Sequence, residues 1–199
     1  MNKNKTNYQR KLLIVPILHT EQDMGSLGHR LMANSDYHAQ AYDYWKTIEA
    51  QIRGLSYEFD RMKVYQDGLP DTKPDLVEKI ASEVQSPNYK LLRWLRDQGA
   101  TIVGTENPDL IKEEYSLLKA ILEAKNESQK LEARKRYQER ADALLSLRDA
   151  YIAQRINQTL EAKELGILFL GAAHKIEDVL PVDIKVIDFD TQKQQLQIN

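Results

Sequence analysis

No cysteine occurs among the 199 residues, which removes disulfides, thiolate nucleophiles and thiolate-bound zinc together. Any metal would have to sit on imidazole and carboxylate. An excess of one charge is also missing: 28 basic residues are interleaved with 30 acidic ones, for a formal net charge of -2. There is no uninterrupted basic stripe, so neither nucleic acid nor an anionic membrane is an expected partner. Long apolar runs are absent as well. After the basic start MNKNKTNYQRK, only Leu12 to Leu18 follow before polar residues resume. That run is too short for a membrane span and lacks a small-residue cleavage site, so a cytoplasmic protein is expected. No P-loop, Rossmann glycine fingerprint or GxSxG elbow is found.

Glycine and proline are few, at 8 and 6, and their placement divides the chain. Residues 1–11 are polar and expected to form a loose tail, as is the glutamine-rich end from 191 to 199. Between them, residues 12–190 are expected to form one α/β domain. LLIVPIL, residues 12–18, has the pattern of a strand buried on both faces, although Pro16 points to an edge position or a bulge near its end. A polar loop is expected over 19–28, and a helix over 35–53, stopped by Gly54. A short strand lies in 62–70, two short helices over 73–84 and 89–98, and a buried strand at 100–104. From Asp109 to Leu165 there is neither glycine nor proline. That stretch is helical, breaking weakly near Asn126-Glu127-Ser128 and stopped by Gly166. ILFLG, 167–171, and the alternating 183–189 are the last strands. Strands separated by helices predict a mainly parallel sheet flanked by helices, with a long helical insertion or hairpin before the fourth strand.

In such sheets ligands sit outside the carboxyl ends of the strands. His19, Asp67, Glu106 and His174 follow the first four strands in turn, so all four are expected on one rim. Two imidazoles and two carboxylates there suit general acid and base work, or a divalent metal held by His19, Glu106 and His174. The competing reading is that they are residues capping helix starts. Arg148 adds independent weight. On the second long helix the stripe Tyr137, Ala141, Leu144, Leu145, Ile152 and Ile156 faces inward, and Arg148 points into its middle. A buried guanidinium needs a carboxylate or an anionic ligand, and Glu106 and Asp67 are the nearest candidates. Arg155 shares that face, with its head group either inward or snorkelling to water. The tyrosines at 37, 44, 57, 65, 115, 137 and 151 are expected to pack.

The segments IVPILH, VYQDG, IVGTE, RDAYIAQRI and ILFLGAAHKIEDVLP resemble, in order, the motifs of the TraB/Tiki/ChaN/erythromycin-esterase superfamily. The resemblance covers about residues 12–180. Its closest pieces are Arg148 to Ile156, of the form R[ND]xxxAxxI, and Gly171 to His174, of the form GxxH. It implies a shared α/β core with His19, Glu106, Arg148 and His174 in the site. Branches of that superfamily include metal-dependent peptidases, esterases that open a lactone without an obligatory metal, and haem binders. The first motif departs from GxxH, reading Pro16-Ile17-Leu18-His19, so its backbone is expected to approach a ligand less closely.

The function expected is hydrolysis of a small ester, lactone, amide or peptide, with a histidine as general base and Arg148 steadying transition-state charge. A divalent metal is a variant of this idea, with haem behind it. The alternatives are a non-catalytic haem- or small-ligand-binding regulatory protein, and an interaction protein whose long helices, which also offer a route to homo-oligomers, are the working surface.

Overall fold

A computed structural model describes residues 10–18 and 35–188. The expected loop over 19–28, most of the tail over 1–11, all of the tail over 191–199 and His19 itself lie outside the described residues. The strands are β1 (Arg10–Ile17), β2 (Met62–Gln66), β3 (Thr101–Val103), β4 (Leu165–Gly171) and β5 (Ile184–Asp188). The helices are α1 (Ser35–Arg53), α2 (Pro74–Glu83), α3 (Pro87–Asp97), α4 (Pro108–Leu122) and α5 (Glu127–Thr159). All pairings are parallel, in the order β3-β2-β4-β1-β5.

Both faces of this sheet are buried. On one face Leu13, Val15, Val64, Ile167 and Phe169 pack with Trp45, Ile48 and Ile52 of α1 and with Leu91, Leu92 and Leu95 of α3. On the other, Leu12, Tyr65, Leu168 and Leu170 meet Ile152 and Ile156 of α5 and Ile176. Alternate residues of each strand thus serve opposite cores, which is why these strands read as continuous apolar runs. The connections from β1 to β2 and β3 run on the first face, and the return to β4 on the second, as right-handed crossovers in opposite directions require. The connection leaving β2 and the one leaving β4 therefore diverge between neighbouring strands. That divergence opens a crevice at their carboxyl ends.

Three details differ from the sequence reading. β1 is an interior strand and begins two residues earlier than expected, at Arg10. Arg10 is held by Asp183, with Nε at 2.7 Å from one carboxylate oxygen and Nη2 at 2.8 Å from the other. Pro16 stands next to the last residue of β1, opposite Leu170 of β4. Gly166 does not stop the long helix, which ends at Thr159. The turn that follows places Lys163 at φ 68, and Gly166 lies inside β4, where a Cβ would come 2.7 Å from Leu12 Cδ1. Among the described residues no helix is long and apolar enough to cross a membrane.

Gly104, just past β3, has a stricter reason to be glycine. A Cβ there would lie 2.6 Å from the Pro70 carbonyl oxygen and 2.8 Å from Asp71 Cα. Both obstacles are backbone, in the segment whose Asp71 N–H donates to Glu106 O. Gly104→Ala is expected to cost about 1–2 kcal/mol through this overlap, read from the midpoint of a urea titration. An unchanged midpoint would show that the 70–71 segment yields freely.

Candidate functional site

Asp67 is the first residue past β2 and keeps the ladder going, its N–H donating to Phe169 O at 2.9 Å. Its side chain crosses the crevice: Oδ2 accepts from Gly171 N at 3.0 Å, at the end of β4. Glu106 follows β3 and is fully buried. Its Oε1 accepts from Gly68 N at 2.7 Å. Gly68 permits this turn because its φ is +78°, a region that side-chain-bearing residues rarely adopt.

Arg148 arrives from α5, buried in the inward stripe, and its head group gathers the carboxylates. Nε donates to Glu106 Oε2 at 2.5 Å and Nη2 to Glu106 Oε1 at 2.7 Å. Nη2 also donates to Asp67 Oδ1 at 2.7 Å, and Nη1 donates to Glu114 Oε2 on α4. A guanidinium has five N–H donors, and four hydrogen bonds to protein carboxylates engage most of them. Transition-state charge therefore finds little of Arg148 left to use, and its part is to assemble the carboxylates. Arg155, one turn beyond, turns inward as well. Its Nε lies 2.9 Å from Asp71 Oδ2, which also accepts from Tyr151 OH at 2.9 Å.

His174 follows β4 through a short turn, its N–H donating to Gly171 O at 3.2 Å. Its ring lies between two carboxylates. Nδ1 is 2.5 Å from Asp149 Oδ1, and Nε2 is 3.4 Å from Asp67 Oδ2. Lys175 N donates to the other Asp149 oxygen at 3.0 Å, so one aspartate on α5 fixes both the ring and the chain beside it. His174 is also among the residues lining a cleft of about 390 Å³, with Ile14, Pro16, Leu170, Lys175 and Ile176.

These contacts set the charges. Burial works against charging His174, but the hydrogen bond and charge of Asp67, with the bond from Asp149, more than offset it, and its pKa is pushed up to about 8. Burial likewise favours neutral Asp67. The bond to His174, the contact with Glu106 and the charges of His174 and Arg148 outweigh it and hold the carboxyl well below its usual range. Glu106 goes the other way. Its complete burial, together with the Asp67 carboxylate beside it, raises its pKa despite the Arg148 pairing. Neighbouring acids with pKa values pushed apart are a recurring feature of functional sites.

The structure thus brings Asp67, Glu106, Arg148 and His174 together at one rim, and His19 is outside the described residues. Asp149 and Glu114 were not singled out from sequence. Asp149 had a readable signal, since Asp149, Ile152, Ala153 and Ile156 share one helical face. Glu114 had none, because its role depends on how α4 lies against α5.

Ligand atoms of Asp67, Glu106 and His174 lie within 4.8 Å of one another. These described donors nonetheless fit a divalent ion poorly. Both oxygens of each carboxylate already accept hydrogen bonds, and the Arg148 guanidinium supplies the positive charge at their centre. A metal here would have to displace a cation that cannot be deprotonated. Comparison of the chain with protein-family models, with curated proteins and with solved structures finds no match in any of the three.

Proposed function

We propose that the chain hydrolyses a small ester, lactone or amide in the cleft beside His174. The observation that carries this reading is the His174 ring, oriented by Asp149 on one nitrogen and facing Asp67 with the other, in a residue that borders the cleft. With Nδ1–H held by Asp149, the neutral ring presents Nε2 as a base, the geometry of an oriented base in hydrolases generally. Nε2 takes a proton from water as the oxygen adds to the carbonyl carbon. The imidazolium, stabilised by Asp67 and Asp149, returns that proton to the leaving group as its bond breaks. Lys175 lines the same cleft together with Glu177 and Asp178; it is the cation among the lining residues, and the role assigned to it is to meet the developing oxyanion, a part Arg148 is too fully engaged to play. Cleft size agrees with a small substrate.

One observation favours the second reading, a non-catalytic binding protein. Every carboxylate oxygen of Asp67 and Glu106 already accepts a hydrogen bond from the chain itself, so the network is complete without a substrate's help. Haem ligation would require His174 Nε2 to leave Asp67.

The two readings separate on a panel of p-nitrophenyl esters, aliphatic lactones and anilides assayed at pH 7 and pH 9. Turnover is expected with at least one class, reduced about a thousandfold in His174→Gln, with folding retained by circular dichroism. Wild-type rates equal to buffer across the whole panel would discard the hydrolase and leave the binding protein.

A further inference from the structure

On the face of the sheet away from α5, three uncharged polar side chains are buried beside an aliphatic core. Ser86 is 0%, Asn88 1% and Gln66 2% exposed. Apolar residues of similar volume would fill this space without the cost of desolvating polar groups. Their hydrogen bonds run in one line. Ser86 Oγ donates to Asn88 Oδ1 at 2.5 Å, and Asn88 Nδ2 donates to Gln66 Oε1 at 3.2 Å. Gln66 Nε2 then donates to the Asp67 carbonyl oxygen at 2.9 Å.

The polarity of this line is forced. A carbonyl oxygen only accepts, so the Gln66 atom facing Asp67 O must be the amide nitrogen. Its oxygen then faces Asn88, which must present nitrogen, leaving the Asn88 oxygen for the Ser86 hydroxyl. The line ends on the Asp67–Gly68 peptide, and the other side of that peptide is the Gly68 N–H that donates to Glu106 Oε1 at 2.7 Å. One peptide unit is thus gripped from both faces of the sheet, at a glycine whose φ of +78° is set by the backbone alone, since no atom lies within 4 Å of where a Cβ would be.

We propose that Ser86, Asn88 and Gln66 are positioning residues, a one-way hydrogen-bond relay. It locks the Asp67–Gly68 peptide so that Gly68 N–H meets Glu106 and the Asp67 side chain meets Gly171 and His174. Aligned donors polarise one another, so the relay also delivers a strengthened N–H to the most buried carboxylate of the site. Without it the peptide is free to rotate. Rotation would cost Glu106 its one backbone donor among the bonds described and shift Asp67 within the crevice.

The test uses the full ¹⁵N-labelled chain carrying Gln66→Met or Asn88→Leu, with Ser82→Ala, on the exposed side of α2, as control. The Gly68 amide and the Arg148 Nε–H resonances are both bonded to Glu106. Both are expected to move upfield and exchange with solvent about tenfold faster in the relay variants, and to stay fixed in the control. The effect on catalysis rests on the hydrolase reading: kcat on the panel substrate should fall about tenfold to a hundredfold, with KM within about twofold. Unmoved resonances in a folded Gln66→Met or Asn88→Leu protein overturn the relay. If neither variant folds, Ser86→Ala reads the same two resonances, and their constancy overturns it equally. Resonances that move in a protein whose wild type turns nothing over would instead count against the hydrolase and leave the relay standing.

Discussion

Arg148→Leu is expected to cost about 3–5 kcal/mol of folding free energy, the range for removing one partner of a buried charge cluster. The reason is arithmetic within the site. Glu106 has a side chain with 0% exposure, Asp67 has 12%, and Glu114 has 27%. All three lose their shared cation at once. Glu106, already raised by burial, would be raised further once Arg148 no longer pairs with it. For a chain of this size a loss of that order lowers the melting temperature by about 10 °C. Arg148→Lys keeps the charge but not the planar fork, and one ammonium cannot replace four hydrogen bonds to three carboxylates. It should lie between wild type and leucine. Combining Arg148→Leu with Glu106→Gln should restore part of the loss, since the stranded carboxylate is then gone. Thermal denaturation of the four proteins decides this, and a leucine variant within about 1 kcal/mol of wild type would mean the carboxylates are not held by Arg148.

The second large effect is on pH dependence, with stability and turnover expected to move in opposite directions. His174 has a folded pKa of about 8 against an ordinary 6.5. Protons are therefore bound more tightly in the folded state. The stabilisation is fully present below pH 6.5 and is lost as pH rises through 8. The shift corresponds to about 2 kcal/mol. Under the proposed mechanism the neutral ring is the base, so turnover should climb through the same window and level off above it. Asp67→Asn removes the larger of the ring's two anionic partners and should carry both transitions towards lower pH. Asp67 itself behaves oppositely. Its depressed pKa adds stability above the ordinary carboxylate range, lost only as pH falls well below 3.8. Urea titrations across pH 5–9, beside a pH–rate profile, measure the two His174 trends. Stability that is flat across that range would place His174 outside the Asp67–Asp149 grip.

The parts of the fold that could be read from sequence are those governed by local pattern. Continuous apolar runs mark the strands because each strand feeds two cores, and the inward stripe of α5 by itself aims Arg148 at Glu106 and Asp67. What stayed hidden depends on where distant segments meet. Nothing local says that β4 inserts between β2 and β1, yet that insertion creates the crevice joining Asp67 to Gly171. Gly166 looked like a helix stop because glycine usually is one after a long helical stretch. Its actual constraint, the approach of Leu12 across the sheet, belongs to packing. Pro16 suggested an edge for a similar reason, whereas β1 lies between β4 and β5 with Pro16 next to its last residue. Asp149 stands next to Arg148 on the buried side of α5, where the apolar stripe alone does not mark it. The relay through Gln66 and Asn88 left no motif, because ordinary polar residues acquire that role only through burial.

Held between Asp149 and Asp67 at the mouth of the β2–β4 crevice, His174 should be an imidazolium at neutral pH. A ¹H–¹³C NMR titration of its ring, assigned by comparison with His174→Gln, measures this without any substrate. A midpoint near 8, falling towards 6.5 in Asp67→Asn, is the result the geometry predicts. A wild-type midpoint at or below 6.5, unmoved by Asp67→Asn, would contradict it.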